Sequence, residues 1–117
     1  MILNLTPRIV RLYDADRPDG IDDLDLGLKQ VIDPEPRYAE LGPIPAGSTF
    51  RDDVPVQLME YGHAGHLPAP RDGVAYIVTL EVALSQASRR DDLLTPYREV
   101  RTSDGTVIGC RELAQPV

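Results

Sequence analysis

Prolines and glycines divide this chain into short segments, and that division constrains its fold more than any other feature. The 117 residues include 11 prolines and 9 glycines. Many of them concentrate at residues 6–7, 33–36, 42–47 and 62–73. Because proline lacks a backbone donor, it disrupts helix interiors and is confined to the edges and bulges of sheets. Several of the intervening segments alternate apolar and polar residues, which predicts short strands, some of them at sheet edges.

One segment differs from the rest because it is apolar nearly throughout. Residues 74–80, Val-Ala-Tyr-Ile-Val-Thr-Leu, are rich in β-branched side chains. Such a run is typical of a central strand that is buried on both faces. We expect Ile77 and Val78 to be almost inaccessible to solvent. The next residues, 81–88, are mostly good helix formers, and they predict one short helix.

The C-terminal part of the chain carries a hairpin signal. Ser103-Asp104-Gly105 lies between two alternating segments, residues 97–102 and 106–113, and aspartate-glycine favours a tight β-turn. The other predicted strands are 2–5, 9–13, 26–32, 37–41 and 54–61. We therefore predict a single α+β domain over residues 1–117, built on a mainly antiparallel β sheet with one short helix near residues 81–88.

Residues 14–53 form a long excursion that is rich in acidic residues and proline. Its first part, residues 14–25, contains six aspartates. A calcium-binding EF-hand loop would need oxygen ligands at positions 1, 3 and 5 and glycine at position 6. Counted from Asp14, position 5 is Pro18, and Gly20 comes one place late. We interpret the segment as a solvated surface loop, with weak adventitious cation binding as the alternative.

The charge and cysteine content restrict the partners and the compartment. Nineteen acidic against 12 basic side chains give a net charge of −7, which repels a phosphate backbone unless the arginines cluster. Cys110 is the single cysteine, which fits a reducing compartment. The first residues do not resemble a signal peptide, and no apolar run approaches the length of a membrane span. We expect a cytoplasmic protein without nucleic-acid or membrane partners.

Glu60, His63 and His66 form the pattern E-x-x-H-x-x-H, whose side chains are ligands that zinc accepts. Glycines and a proline within residues 62–68 exclude a helix that would align them. Zinc sites usually use three or four protein ligands, and only Glu60 is close to the histidines in sequence. We predict that the two histidines are not paired zinc ligands and that the protein holds no metal. A small metal-dependent hydrolase that uses these three residues is the alternative.

No other motif identifies a catalytic centre. Cys110 lies in a predicted strand, and a nucleophilic thiol needs a neighbouring base and a lowered pKa. We interpret it as a small buried hydrophobic residue. Glycine-rich phosphate loops and the G-x-S-x-G elbow are absent from the sequence. We therefore predict no cofactor and no catalytic residue.

Four arginines flank the best-defined predicted elements. A guanidinium group binds carboxylate or phosphate through two parallel hydrogen bonds, so arginine is suited to an anionic ligand. Local ion pairs and solubility are the competing explanation for each of them. The candidate ligand-binding residues are Arg71, Arg89, Arg90 and Arg111.

Several short segments, taken in order, resemble a family of small proteins of unassigned function that is common in bacteriophages, prophages and actinobacterial genomes. The segments are Asn4–Pro7, Glu60–Gly62, Leu67–Pro70, Gly73–Val78, Arg90–Asp92 and Ile108–Leu113. Family members often carry histidine where this chain has Arg8 and serine where it has Thr79. The resemblance implies a mobile-element setting and carries no activity with it.

These observations favour a non-catalytic binding or interaction protein. It would be an accessory protein of a mobile element that binds an anionic, nucleotide-like small molecule or a host protein. A purely structural role in a virion is a further alternative. Because several short strands are expected at sheet edges, and unpaired edges favour strand pairing between chains, we also predict a homodimer or higher oligomer.

Overall fold

Six strands surround a small apolar interior in the computed structural model, which describes all 117 residues. The strands of the chain are β1 (Ile2–Asn4), β2 (Val10–Tyr13), β3 (Leu28–Ile32), β4 (Glu40–Leu41), β5 (Ile44–Arg51), β6 (Val54–Glu60), β7 (Ala64–Gly65), β8 (Ala75–Ile77), β9 (Leu93–Arg101) and β10 (Val107–Ala114), and the helix is α1 (Leu80–Gln86). The expected combination of a sheet with one short helix is confirmed. No helix of the structure is long and apolar enough to cross a membrane.

The main sheet has the strand order β1-β8-β9-β10-β2-β3, and it almost closes into a barrel. A parallel bridge joins Asn4 at the end of β1 to Pro34, two residues beyond β3. The Glu35 amide donates to the Asn4 carbonyl at 2.9 Å, and the Asn4 side-chain amide donates to the Ile32 carbonyl at 3.0 Å. Asn4 therefore links the two edges that would otherwise stay open.

The pairing in this sheet corrects the prediction of a mainly antiparallel architecture. The β1/β8, β8/β9 and β10/β2 pairs are parallel, whereas β9/β10 and β2/β3 are antiparallel. Hairpin signals in a sequence report only strands that are neighbours along the chain. Parallel partners need a long crossover connection, so nothing local in the sequence indicates which strands they join.

The central strand is shorter than the apolar run predicted. β8 ends at Ile77, Thr79 adopts an extended conformation as the N-cap, and α1 begins at Leu80, which is 55% exposed. The predicted strand through residue 80 and the predicted helix over 81–88 therefore need correction by a few residues. The prediction that Ile77 and Val78 are inaccessible is confirmed, since both are 0% exposed.

Alternation along β8 divides the buried residues into two clusters. Ile77 faces the barrel interior, whereas its neighbours Tyr76 and Val78 face outward against α1. The interior cluster is Val10, Ile32, Ile77 and Cys110, and the outer cluster is Leu5, Ala39, Tyr76, Val78, Val82, Ala83 and Leu93. The apolar run is continuous because this strand has a buried cluster on each side.

Two regions extend from the barrel. Residues 14–27 connect β2 to β3 and fold back over the turn between β9 and β10. The second region is the hairpin of β5 and β6, in which every residue of β5 is exposed. The radius of gyration is 17.4 Å, compared with roughly 13 Å expected for a compact chain of this length. The molecule is therefore elongated.

Candidate functional site at the barrel mouth

A gap in the barrel wall opens where two neighbouring strands differ in length. β8 pairs with β9 only as far as Leu94, and β9 then continues alone on that side to Arg101. Pro96 lies where the pairing stops, so no backbone N–H is left without a partner at that position. The gap leads into a cavity of about 770 Å³, which we call the barrel mouth.

The barrel mouth is assembled from four separate stretches of the chain. They are residues 6–11, which lead from β1 into β2, residues 78–80, which lead into α1, the β9 residues Thr95, Pro96 and Glu99, and residues 107–110 at the start of β10. The mixed pairing brings four strand termini together at this end of the barrel. They are the ends of β1 and β8 and the starts of β2 and β10.

The deeper wall of the barrel mouth is apolar. Val10 and Cys110 of the interior cluster and Val78 of the outer cluster border it with buried side chains. Gly109 allows β10 to approach β2 closely, because a side-chain carbon there would overlap the Arg11 carbonyl oxygen and lie 2.8 Å from the Tyr13 ring. The same glycine sits at the irregularity of the β9/β10 ladder. Its lack of a side chain therefore shapes this part of the wall.

Two threonine hydroxyls on the lining have no hydrogen-bond partner within the chain. Thr95 is 7% exposed, and Thr79 occupies the N-cap of α1 without its side chain capping the helix. Both hydroxyls reach solvent, because the buried side-chain polar atoms that lack a partner all belong to Arg17. These two hydroxyls are therefore available to a polar group inside the barrel mouth.

The charges on the lining are mainly positive although the protein as a whole is acidic. Neither Arg8 nor Arg11 forms an ion pair, and Arg11 is half-buried. The one acidic side chain of the lining, Glu99, is held by Arg101 at 2.6 Å. Of the 11 arginines, five bond through their side chains within the chain, namely Arg17, Arg90, Arg98, Arg101 and Arg111. Two of the remaining six thus face this cavity.

Two of the four arginines that the sequence suggested as ligand-binding residues are engaged within the protein. Arg90 donates to both carboxylate oxygens of Asp92, at 2.8 and 2.9 Å, and this pair holds the pKa of Asp92 below its usual value. Arg111 donates to the carbonyls of Arg17 and Glu99, at 3.0 and 2.7 Å. Both guanidinium groups therefore have structural roles in the fold.

The other two suggested arginines are exposed and lie apart from the barrel mouth. Arg89 follows α1 and reaches toward Gly62, and Arg71 lines a separate groove on the outside of β1 and β8. The structure does not bring the four suggested residues together into one site.

Glu60, His63 and His66 are exposed and lie along an extended segment. Glu60 ends β6, and the two-residue strand β7 separates the histidines. Nowhere in the structure does a group of three or more histidine, cysteine, aspartate or glutamate side chains lie where it could hold a metal ion. Glu60, His63 and His66, on which the hydrolase alternative depends, are therefore not brought together as a metal-binding group.

Cys110 is confirmed as a buried residue, with 0% of its surface exposed. Burial raises the pKa of its thiol above the ordinary value, which keeps the sulfur protonated. A protonated thiol is a poor nucleophile. Cys110 therefore acts as part of the apolar wall of the barrel mouth.

The polar residues of the barrel mouth were missed by sequence reasoning, because they come from strands that are far apart along the chain. No sequence signal marked Arg8, Arg11, Thr79 or Thr95, but one signal marked neighbouring segments of the site. The segments Asn4–Pro7, Gly73–Val78 and Ile108–Leu113 each contribute lining residues, and all three belong to the set that carries the resemblance described above. No protein-family model, curated protein or solved structure matches the chain. The resemblance therefore stays a prediction.

Proposed function

We propose that this chain is a non-catalytic binding protein that holds a small organic anion, nucleotide-like in size, in the barrel mouth. The observation that carries the proposal is the unpaired Arg8 and Arg11 beside two unbonded hydroxyls in one cavity. Guanidinium groups form strong, charge-assisted hydrogen bonds to phosphate and carboxylate oxygens. An anion would supply the partners that these side chains lack.

The apolar wall supports an organic ligand in preference to a bare inorganic ion. Ile9, Leu80 and Val107 line the cavity and are 44%, 55% and 45% exposed, so a ligand with an apolar body would remove their surface from water. The volume of about 770 Å³ lies within the usual range for small-molecule sites, roughly 300–1,000 Å³. Thr79 and Thr95 would orient the polar substituents of such a ligand.

The character of the lining supports binding without chemistry. The Cys110 thiol has a raised pKa, and the Glu99 carboxylate is bonded to Arg101, so neither group is poised as a free nucleophile or base. The mobile-element setting is a part of the proposal that rests on the sequence resemblance alone.

Calorimetric titration with two probes tests this proposal. Adenosine monophosphate supplies a phosphate and a flat organic body, and hexanoate supplies a carboxylate and an apolar chain. We expect at least one probe to bind the native chain, and we expect Arg11→Met to weaken that binding by at least about 10-fold, the size expected when a charged hydrogen bond is lost.

Arg51→Met is the matched control, because Arg51 is an exposed arginine on the β5–β6 hairpin and contributes nothing to the barrel mouth. This variant should bind like the native chain. The proposal is wrong if neither probe binds, or if Arg8→Met and Arg11→Met bind both probes with native affinity.

A further inference from the structure

A second concave surface lies on the outside of the barrel and shares no residue with the barrel mouth. It is a groove of about 660 Å³ that crosses β1 and β8, and we call it the outer groove. Its residues are Leu3, Leu5, Glu35, Pro36, Arg37, His66, Leu67, Pro68, Arg71 and Tyr76. The outer groove therefore combines an apolar floor with several charged and polar side chains.

Two unpaired arginines enter the outer groove from different parts of the chain. Arg37 lies between β3 and β4, and Arg71 lies between β7 and β8. Neither guanidinium group contacts a carboxylate, although the chain has 19 acidic residues. The outer groove has one acidic residue, Glu35, so its two arginines give it a positive balance.

A buried phenol adds a donor that is poorly satisfied. Tyr76 is 1% exposed, and its hydroxyl lies 3.5 Å from the Ala69 carbonyl oxygen. Hydrogen bonds between two oxygens are usually about 2.7–2.8 Å long, so this contact is weak. Buried tyrosine hydroxyls normally have a good partner. The Tyr76 hydroxyl is therefore free to donate to a ligand in the outer groove.

His66 is held in an unusual backbone conformation at the rim of the outer groove. Its φ is +59°, in the left-handed region that residues other than glycine rarely adopt. His66 is one of the residues that line the outer groove together with Arg37 and Arg71.

We propose that the outer groove is a binding site for the phosphate group of a phosphomonoester. Arg37, Arg71 and Tyr76 supply hydrogen-bond donors to the outer groove from three separate stretches of the chain. A phosphate has more acceptor oxygens for these donors than a carboxylate has. The organic part of the ligand would lie against Leu3, Leu5 and Leu67. Because the residues differ from those of the barrel mouth, this site does not depend on the function proposed above.

Side-chain NMR of ¹⁵N-arginine-labelled protein can locate the bound anion. Inorganic phosphate and phenyl phosphate are titrated at constant ionic strength, with sodium chloride as the reference. We expect the Nε–H signals of Arg37 and Arg71 to shift with both phosphates, and phenyl phosphate to bind more tightly. The Arg51 signal should not move.

Three substitutions separate this site from the barrel mouth. We expect Arg71→Met to weaken phenyl phosphate binding by at least about 10-fold, and Tyr76→Phe by about 5- to 10-fold, as the loss of hydrogen bonds to a charged group predicts. Arg11→Met should leave the phosphate-induced shifts of the Arg37 and Arg71 signals unchanged, because Arg11 lies in the barrel mouth. Arg37→Met provides a second test of the groove should Arg71→Met fail to fold.

Three results would overturn the inference. They are the absence of any shift at Arg37 and Arg71, shifts of equal size with chloride, and loss of phenyl phosphate binding in Arg11→Met while the groove variants retain it. The last result would assign phosphate binding to the barrel mouth and would thereby support the function proposed above.

Discussion

The two regions that extend from the barrel contrast in how they are attached to it. Residues 14–27 contain no strand or helix, yet they are bonded into the barrel at several points. The β5–β6 hairpin has a long antiparallel ladder, yet its side-chain hydrogen bonds, such as that from Ser48 to Gln57, stay within the hairpin. Regular backbone structure and integration into the fold are therefore separate properties in this chain.

Residues 14–27, which we call the acidic loop, are organised around Arg17, which is 4% exposed. Its guanidinium lies 4.4 Å from the centre of the Tyr13 ring and donates to the Asp23 carbonyl at 2.9 Å. The Tyr13 hydroxyl donates to the Leu24 carbonyl at 2.7 Å. A cation against an aromatic face contributes about 0.5–2 kcal/mol, depending on its exposure. A buried cation thus lies at the centre of a segment whose sequence is dominated by aspartate.

Two aspartates of this loop bind the turn between β9 and β10. Asp19 accepts from the Arg101 amide at 3.0 Å, and Asp22 accepts from the amide and the hydroxyl of Ser103 at 2.9 and 2.8 Å. These bonds lower the pKa of both carboxyl groups. The loop is therefore attached through its charges, which the interpretation as a solvated loop did not anticipate.

The hairpin has no comparable attachment. Phe50 is 70% exposed and Val54 is 59% exposed. An isolated two-stranded hairpin is at best marginally stable in water. The ladder of β5 and β6 is therefore the part of the sheet structure that we expect to open most easily.

The largest expected effect is on the barrel interior, to which the acidic loop is attached. Ile77 is 0% exposed and belongs to the interior cluster, so Ile77→Ala should lower the free energy of unfolding by about 2–5 kcal/mol. Urea denaturation measures this decrease in the free energy of unfolding. Val31→Ala on β3, where Val31 is 45% exposed, is the control and should cost less than about 0.5 kcal/mol. A similar small effect for Ile77→Ala would show that β8 is peripheral.

The second-largest effect is expected for Arg111→Met, a substitution that tests whether the acidic loop unfolds cooperatively with the barrel. Arg111→Met removes the hydrogen bonds to the carbonyls of Arg17 and Glu99, and the Arg111 side chain is only 10% exposed. Hydrogen bonds to charged groups contribute about 1.5–3 kcal/mol, so we expect a loss of about 2–4 kcal/mol in urea denaturation.

Arg98→Met is the matched control for Arg111→Met. Arg98 also contacts the loop, but through exposed groups: it donates to the Ala15 carbonyl at 3.2 Å and pairs with Glu112 at 3.3 Å, and the side chains of Arg98 and Glu112 are about half exposed. Exposed pairs contribute little, so the loss should stay below about 1 kcal/mol. Equal losses in the two variants would mean that the buried bonds of Arg111 hold the loop no more strongly than the exposed contacts of Arg98 do.

Sequence reasoning found the parts of the fold that depend on local pattern. The turn at residues 103–105, the helix after the apolar run and the strand β6 all follow from neighbouring residues. It missed β5, because Pro43, Pro45 and Gly47 indicated a loop, and it missed the parallel pairs. The partners of Asp19 and Asp22 lie about 80 residues away in sequence, so composition could indicate only solvation.

The candidate site was less predictable than the fold for a related reason. Arg90 and Arg111 were visible beside well-defined elements, but such positions also favour local bonds, and both side chains form them. Nothing in the sequence around Arg8 and Arg11 indicated that both residues line the same cavity. Only the closure of the barrel brings them beside Thr95, which is more than 80 residues away.

Acid should weaken the attachment of the loop before it affects the hairpin. The folded-state pKa values of Asp19 and Asp22 are lowered, first by their backbone hydrogen bonds, so their stabilisation is present above the unfolded pKa and is lost as the pH falls. Hydrogen bonds from Thr102 and Thr106 lower the pKa of Asp104, in the same turn, to about 2. We expect the urea midpoint to fall between about pH 4 and pH 2.

Substitution identifies the groups responsible for this acid sensitivity. The double variant Asp19→Asn and Asp22→Asn should show a smaller change in urea midpoint over this pH range than the native chain. Asp52→Asn at the tip of the hairpin is the control and should keep the native pH dependence. If the Asp52 variant loses the dependence and the double variant keeps it, the acid-sensitive contacts lie outside the loop.

The smallest expected effect on stability comes from the hairpin, and it also addresses self-association. Phe50 is 70% exposed, so Phe50→Ser should change the free energy of unfolding by no more than about 0.5 kcal/mol in dilute solution.

The predicted homo-oligomer gives the same residue a second role, because exposed apolar residues on an unpaired strand edge favour contact between chains. We therefore expect light scattering to show weaker association for Phe50→Ser than for the native chain, with Arg51→Met as the neighbouring control. A native mass of 12.9 kDa at every concentration would contradict the oligomer. A loss of more than about 1 kcal/mol in dilute Phe50→Ser would show instead that the hairpin packs against its own barrel, and the contrast between the two regions would then disappear.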